Sequence, residues 1–335
     1  MCIVHATMAA VAKADDGAGR AGHYPRLIMS VSTADWAWIP IVLWAALAQT
    51  VRNAAQRSLT ATAGTLAATL VRFLYGLPLA IVWLLAVKYG GSTLLAGTLP
   101  ESFSPAYFAW LTLAAVTQLA ATALLLAAMA ERNFIIAVTW TKTDVLQVAV
   151  FSSLFLHELP SLLAMFAIVV ATLGVLLLSR PAGSDAVGFG GRPALLGLAA
   201  GGLFALASVG YRGASVQMKG VSPWLVGAWG VVGAQFLQTV LMGGWLAWRD
   251  RPALALVFRA WKLSAVAGGM GALASIAWLT ATALRPAAEV RTLGLVEVIF
   301  SYLVSHRVFG ERLSRREQVG MGLVCIGLVA ICIQL

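Results

Sequence analysis

Charge is scarce in this sequence: of 335 residues, 11% are Asp, Glu, Lys or Arg against 60% hydrophobic. A soluble domain carries about 25% charged residues on a solvated skin, so that class is excluded. Cysteine is scarcer still. Cys2, Cys325 and Cys332 are too few and too badly placed for a disulfide frame, which also leaves the redox compartment open. The four histidines, His5, His23, His157 and His306, show no H-x-x-x-H spacing, and no C-x-x-C is present, so no metal site is expected. The phosphate loop G-x-x-x-x-G-K-[ST] and the nucleophile elbow G-x-S-x-G are both missing. Neither an enzyme nor a cofactor is therefore expected. The net charge of +10 is not gathered into a basic run with interleaved aromatics, so it reads as loop charge facing lipid headgroups and not as a nucleic-acid surface.

Long apolar runs fill the space that charge leaves. Six stretches carry no charge at all: Ala106 to Met129, Pro160 to Ser179, Ala194 to Tyr211, Pro223 to Trp248, Leu263 to Leu284 and Gln318 to Leu335. Each is long enough, at about 20 residues, to cross a bilayer as a helix. Four more become helices if a few charges are tolerated: Trp36 to Arg57, Thr60 to Val87, Phe134 to Leu156 and Ala287 to Val304. The expected fold is an all-α polytopic membrane protein with ten transmembrane helices. Connections such as Ser92 to Pro105 and Arg249 to Pro252 carry Pro, Gly and charge, as helix ends at a membrane surface do.

Sliding the chain against itself by 153 residues aligns Asp144 with Glu297, Arg132 with Arg285, Glu158 with Glu311 and Gly174 with Gly327. Near an offset of 160, Arg52 falls on Arg212. Five helices per copy is an odd number, so the second copy enters the membrane the other way up, as in the inverted repeats of secondary transporters. This divides the chain into a mobile tail (1–35), a first five-helix repeat (36–180), a linker (181–193) and a second five-helix repeat (194–335).

The segment F-L-H-E-L-P-S at Phe155 to Ser161, its partner F-G-E-R-L-S at Phe309 to Ser314 and the ten-helix duplication resemble the EamA group of the drug/metabolite transporter superfamily. The resemblance covers nearly the whole chain after Asp35, with His157 standing where the family has glycine. It implies a carrier in which the first four helices of each half surround a central cavity, helices five and ten lie outside, and both termini are cytoplasmic in a bacterial inner membrane. The family spans amino acids, metabolites and drugs, so it does not fix the substrate.

An ionisable residue in mid-membrane faces a cavity or an opposite charge, because leaving it in hydrocarbon costs several kcal/mol. Asp144 and Glu297 are such residues at matching repeat positions, expected at similar depth. They read either as permanent ion pairs joining helices or as groups binding substrate or a proton. Arg52, Arg72, Lys142, Arg212 and Arg291 are the candidate cations, with Arg52 and Arg212 the repeat-consistent partners of the acids. Some of these can instead snorkel to headgroups. Their surplus over the acids favours a negatively charged substrate, such as an organic anion, an amino acid or a phosphorylated compound. Lys142 and Asp144 are two residues apart, about 200° around a regular helix, so one cavity cannot receive both; Asp144, sharing a face with Trp140, Thr141, Gln147 and Phe151, is the expected lining member. Trp44 and Tyr75 could add stacking surface, though tryptophans in membrane proteins mostly mark interfaces.

The expected function is secondary transport of a small polar or amphipathic metabolite, by export, with membrane lipid as surroundings. A lipid or lipid-linked headgroup flippase on the same scaffold is the alternative. Coupling to protons would follow if an acid exchanged its cationic partner for a proton during the cycle, since burial raises a carboxylate pKa and a neighbouring guanidinium lowers it. Loop charge opposes the family orientation: with both termini cytoplasmic, inward loops hold seven Lys and Arg and outward loops thirteen, the reverse of the positive-inside pattern.

Overall fold

The computed structural model describes residues 26–90, 103–129, 140–178, 191–309 and 314–333. The chain divides into Met1–Ala37 and Trp38–Leu335, and of the first unit the opening turns of one helix are described. Among the described residues the regular structure is entirely helical, with no strand. Most of the expected tail, most of the linker, Arg132, Phe134 to Thr139 and Glu311 lie outside the described residues.

Helix α1 spans Arg26–Ala63, beginning ahead of the expected Trp36; no Gly or Pro stands between Arg26 and Trp36 to interrupt it. It carries Pro40 within it, which membrane helices tolerate when neighbours re-satisfy the freed carbonyl. The expected helix from Thr60 to Val87 is split into α2 (Thr65–Leu74) and α3 (Gly76–Tyr89), with a turn at Tyr75. Helix α4 is Pro105–Met129, α5 is Asp144–Phe151 and α6 is Leu162–Leu178. Helix α5 runs into a π-helical turn, Ser152–Leu156, that stops at His157. There the backbone takes φ 56°, the left-handed region that favours glycine, so His157 ends the helix in a conformation that side chains seldom adopt.

In the second part of the chain, α7 is Arg192–Val216, α8 is Pro223–Arg249 and α10 is Trp261–Leu284. Between α8 and α10 the expected plain connection forms a short helix, α9 (Arg251–Arg259), started by the Asp250 side chain, which accepts from the Ala253 amide at 3.0 Å. The sequence signal was present in Asp250 followed by Pro252, an N-cap and first-turn proline. The expected helix from Ala287 to Val304 is broken at Leu295 into α11 (Ala287–Gly294) and α12 (Val296–Phe309), and α13 is Arg315–Ile333.

Six of these spans are long and apolar enough to cross a membrane: Leu66–Tyr89, Pro105–Leu125, Ala194–Val216, Pro223–Arg249, Trp261–Leu284 and Arg315–Ile333. Asp144–Leu156 and Leu162–Leu178 are shorter apolar helices. The chain is thus an all-α, membrane-embedded protein.

Helix α4 lies along α7, α6 along α13, and α8 along α10. Lipid offers no less apolar a surface than a neighbouring helix, so close packing of small residues holds such pairs together. A Cβ on Gly174 of α6 would come 2.6 Å from the Gly320 carbonyl oxygen of α13, and one on Gly327 would come 2.6 Å from the Ala171 Cβ. The outer faces of the same pair carry exposed Leu162, Phe166, Leu173, Ile326 and Val329, as lipid-facing surface should. The main core joins Trp38 and Val42 of α1 to Val145 and Val148 of α5, Ile168 of α6, Leu293 of α11 and Val324 of α13.

Candidate functional site

A cavity of about 290 Å³ opens where α1, α2, α4, α7 and α10 meet the segments around Lys142 and Leu295. Among the described residues, neither α6 nor α13 contributes to its lining. Four cations, Arg52, Arg72, Lys142 and Arg291, and two acids, Asp144 and Glu297, line it, leaving a formal surplus of two positive charges.

The geometry around Lys142 corrects the expectation that Lys142 and Asp144 point apart. Trp140 and Thr141 are helical, Lys142 and Thr143 form a turn, and α5 starts afresh at Asp144. The Thr143 amide donates to the Trp140 carbonyl at 3.2 Å, an i to i−3 bond that tightens the backbone locally. The 200° separation holds for a regular helix, and here there is none, so both side chains reach the same cavity. Leu295 is the site of a second break: its amide donates to Thr292 at 3.1 Å, and Val298 donates back to Leu295 at 3.0 Å. Lys142 and Leu295 are 153 residues apart, the offset read from the sequence.

The ion pairs run between these two broken segments. Lys142 Nζ donates to Glu297 Oε1, and Arg291 Nη2 donates to Asp144 Oδ2. Arg52 and Arg212 are therefore not the partners of the acids, which corrects the repeat-based expectation. The reason is the break itself, which brings each acid opposite the cation of the other segment; helix one reaches Glu297 through Gln49, while the Arg52 guanidinium turns to Asn53. Gln49 adds a hydrogen bond to Glu297 Oε2 at 2.5 Å and is itself held by the Trp278 indole N–H at 3.2 Å. Arg291 also lies over the Trp278 ring, 5.7 Å from its centroid. The second oxygen of Asp144, Oδ1, is buried with no hydrogen-bond partner.

Arg52 and Arg72 line the cavity on other terms. Arg52 is buried, and its Nε and Nη2 donate to the neutral Asn53 side chain at 3.2 and 2.7 Å. Its Nη1 and the Nε of Arg72 are buried with no hydrogen-bond partner. Neither guanidinium forms an ion pair with an acid among the described residues. Glu297 acts on Arg52 across the cavity, but both its oxygens are already engaged. Beside them Gln118 accepts from the Tyr211 hydroxyl at 2.8 Å and from Gln238 at 2.7 Å, a neutral polar patch on the cavity wall.

Arg212 stands apart from the lining. Its Nε meets Glu158 at 2.8 Å and its Nη1 donates to the Thr282 carbonyl at 2.9 Å. Arg285 and Glu289 form a further pair at 3.1 Å. Thr141 lines the cavity and donates to the Gly197 carbonyl at 3.3 Å. Trp140 and Gln147 do not line it; Gln147 donates to Thr143 Oγ1 at 3.1 Å and packs on Gly202, where a Cβ would come 2.8 Å from the Gln147 Oε1. Trp44 is exposed, and the Tyr75 hydroxyl donates to the Val257 carbonyl at 3.2 Å, outside the cavity. Sequence reasoning missed Gln49, Gln118, Ser208, Tyr211 and Trp278. The signal was available as single polar residues inside otherwise apolar runs, which seldom face lipid.

No family model matches the chain and no curated protein matches it. Among 24 chains of solved structures that match, a crystal structure of a protein superposes with a TM-score of 0.64 over 89% of this chain and 96% of its own, at 18% identity. At that identity the likeness concerns the fold alone.

Proposed function

We propose that this chain is a secondary transporter of the EamA type, built as ten transmembrane helices in two inverted five-helix repeats, with both termini cytoplasmic in a bacterial inner membrane. It exports a small polar or amphipathic metabolite by alternating access around the cavity. The observation that carries this reading is the meeting of two interrupted helices, at Lys142 and Leu295, on one charged cavity. Interrupted helices expose backbone groups at membrane depth, which is tolerated where they line a polar space and is a recurrent way to build a mid-membrane binding site. The cross-linking pairs Lys142–Glu297 and Asp144–Arg291 give the two segments a contact that can be kept in one state and exchanged for substrate or a proton in another.

A cavity of about 290 Å³ suits a compact solute better than a two-chain lipid, which ranks the flippase second. Purified protein in liposomes should accumulate organic anions or amino acids, with a dependence on an imposed pH gradient. Lipid translocation without movement of any soluble solute would turn the assignment to the flippase.

A further inference from the structure

We propose that Arg52 and Arg72 form an anion subsite for a free, soluble dianion, a dicarboxylate or a phosphomonoester, in preference to zwitterionic solutes. This rests on the transporter reading and names the cargo class of the same cavity. Three observations carry it. The cavity's acids are consumed: Lys142 holds Glu297 and Arg291 holds Asp144, so the two remaining cations set its net charge at two positive. Arg52 is 6% exposed, with one guanidinium nitrogen that meets no acceptor, and Arg72 likewise has a buried Nε without a partner. The two stems also converge on one spot: a Cβ on Gly271 would stand 3.2 Å from Arg72 Cγ and 3.3 Å from Arg52 Cδ.

Two like charges whose stems meet, one of them deeply buried and neither in an ion pair with an acid among the described residues, are unfavourable in the empty site, and a ligand carrying two negative charges removes that cost. A planar guanidinium with unused donors is matched to carboxylate and phosphate oxygens, and two of them match a dianion or two ends of a dicarboxylate. A zwitterion leaves the surplus of two unneutralised. The Tyr211–Gln118 patch on the same cavity wall offers neutral hydrogen bonding for hydroxyl groups of such a solute.

The test uses full-length protein in phosphatidylcholine nanodiscs, with succinate, inorganic phosphate and glutamine as probes and binding read by thermal stabilisation and calorimetry. Succinate or phosphate should bind at least about tenfold tighter than glutamine, and Arg72→Gln and Arg52→Gln should each weaken that binding by about tenfold or more, with Arg72→Lys intermediate. Arg251→Gln, an exposed cation outside the cavity, should leave it unchanged. Equal binding of glutamine and the dianions, or dianion binding untouched in Arg72→Gln, would overturn the proposal. Stabilisation by phosphatidate added to the discs, lost in Arg72→Gln and absent with soluble dianions, would overturn it in favour of a lipid headgroup. Arg72-dependent dianion binding without any solute movement in liposomes sinks the transporter reading and leaves the subsite standing. Solute transport with no dianion preference does the reverse.

Discussion

Two walls of one cavity treat charge in opposite ways. On the wall made by the two interrupted segments, every charge has a partner: Lys142 with Glu297 and Arg291 with Asp144. On the wall made by α1 and α2, Arg52 and Arg72 face the same space with a neutral asparagine and no acid among the described residues. The difference separates what holds the protein together from what waits for something else. A paired buried charge is strongly missed when one member is removed, because the other is left stranded; an unpaired one is a standing cost that only a ligand relieves.

The largest effect should come from breaking the paired wall. Asp144→Asn leaves Arg291 opposite a neutral group at a buried site, which should cost about 3–5 kcal/mol. Thermal unfolding in detergent measures it, and adding Arg291→Gln should recover part of the loss because no charge is then stranded. An Asp144→Asn protein as stable as wild type would show that the wall is held by packing alone.

Glu297→Gln tests whether the paired wall also works in the cycle. Without an ionisable carboxyl at this position, gradient-driven transport should vanish while exchange between equal pools of solute stays measurable. The loss is expected because Glu297 takes both Lys142 and Gln49, so it can release one partner and keep the other. If Glu297→Gln and Asp144→Asn both transport as wild type under a pH gradient, the two acids are purely structural.

The charged wall was half legible in the sequence. Apolar runs announced the helices, and the 153-residue offset singled out Asp144 and Glu297, since an acid in an apolar run is costly anywhere but a site. Partner choice was not legible. It depends on a turn at Lys142 and another at Leu295; the second has Gly294 just before it, but the first has neither Gly nor Pro to mark it, and in Trp140–Thr141–Lys142–Thr143 the break is supported by Thr143 Oγ1 donating to the Trp140 carbonyl at 2.6 Å. Helical periodicity was carried through a place where the helix stops, and so Lys142 was turned away from its cavity. Arg212 misled for a related reason. Its match to Arg52 in the sequence does not survive as a match in surroundings, because Glu158 captures it.

On the unpaired wall the sign should reverse. Arg52→Gln removes a desolvated cation that forms no ion pair with an acid among the described residues, so the empty protein should gain stability, by about 1 kcal/mol once the lost Asn53 contacts are set against the relieved burial. Wild type and variant melted side by side without ligand give the comparison. A clear loss of stability in Arg52→Gln would mean that this wall, too, is structural, and the contrast between the two walls would fail.

The smallest effect is the most specific to the shape of the unpaired wall. Gly271→Ala changes no charge, but its new methyl would stand 3.2 and 3.3 Å from the stems of Arg72 and Arg52, closer than ordinary carbon contact. Long side chains can yield by a few tenths of an ångström, so folding should be nearly unaffected, within about 0.5 kcal/mol. What shifts is the position of two guanidiniums relative to each other, and a site that recognises paired oxygens depends on that spacing more than on charge. Dianion binding should therefore weaken severalfold in Gly271→Ala while the melting temperature of the empty protein holds and the paired wall keeps its response to Asp144→Asn. Unchanged dianion affinity would show that the two arginines act as a diffuse positive field and not as a shaped subsite.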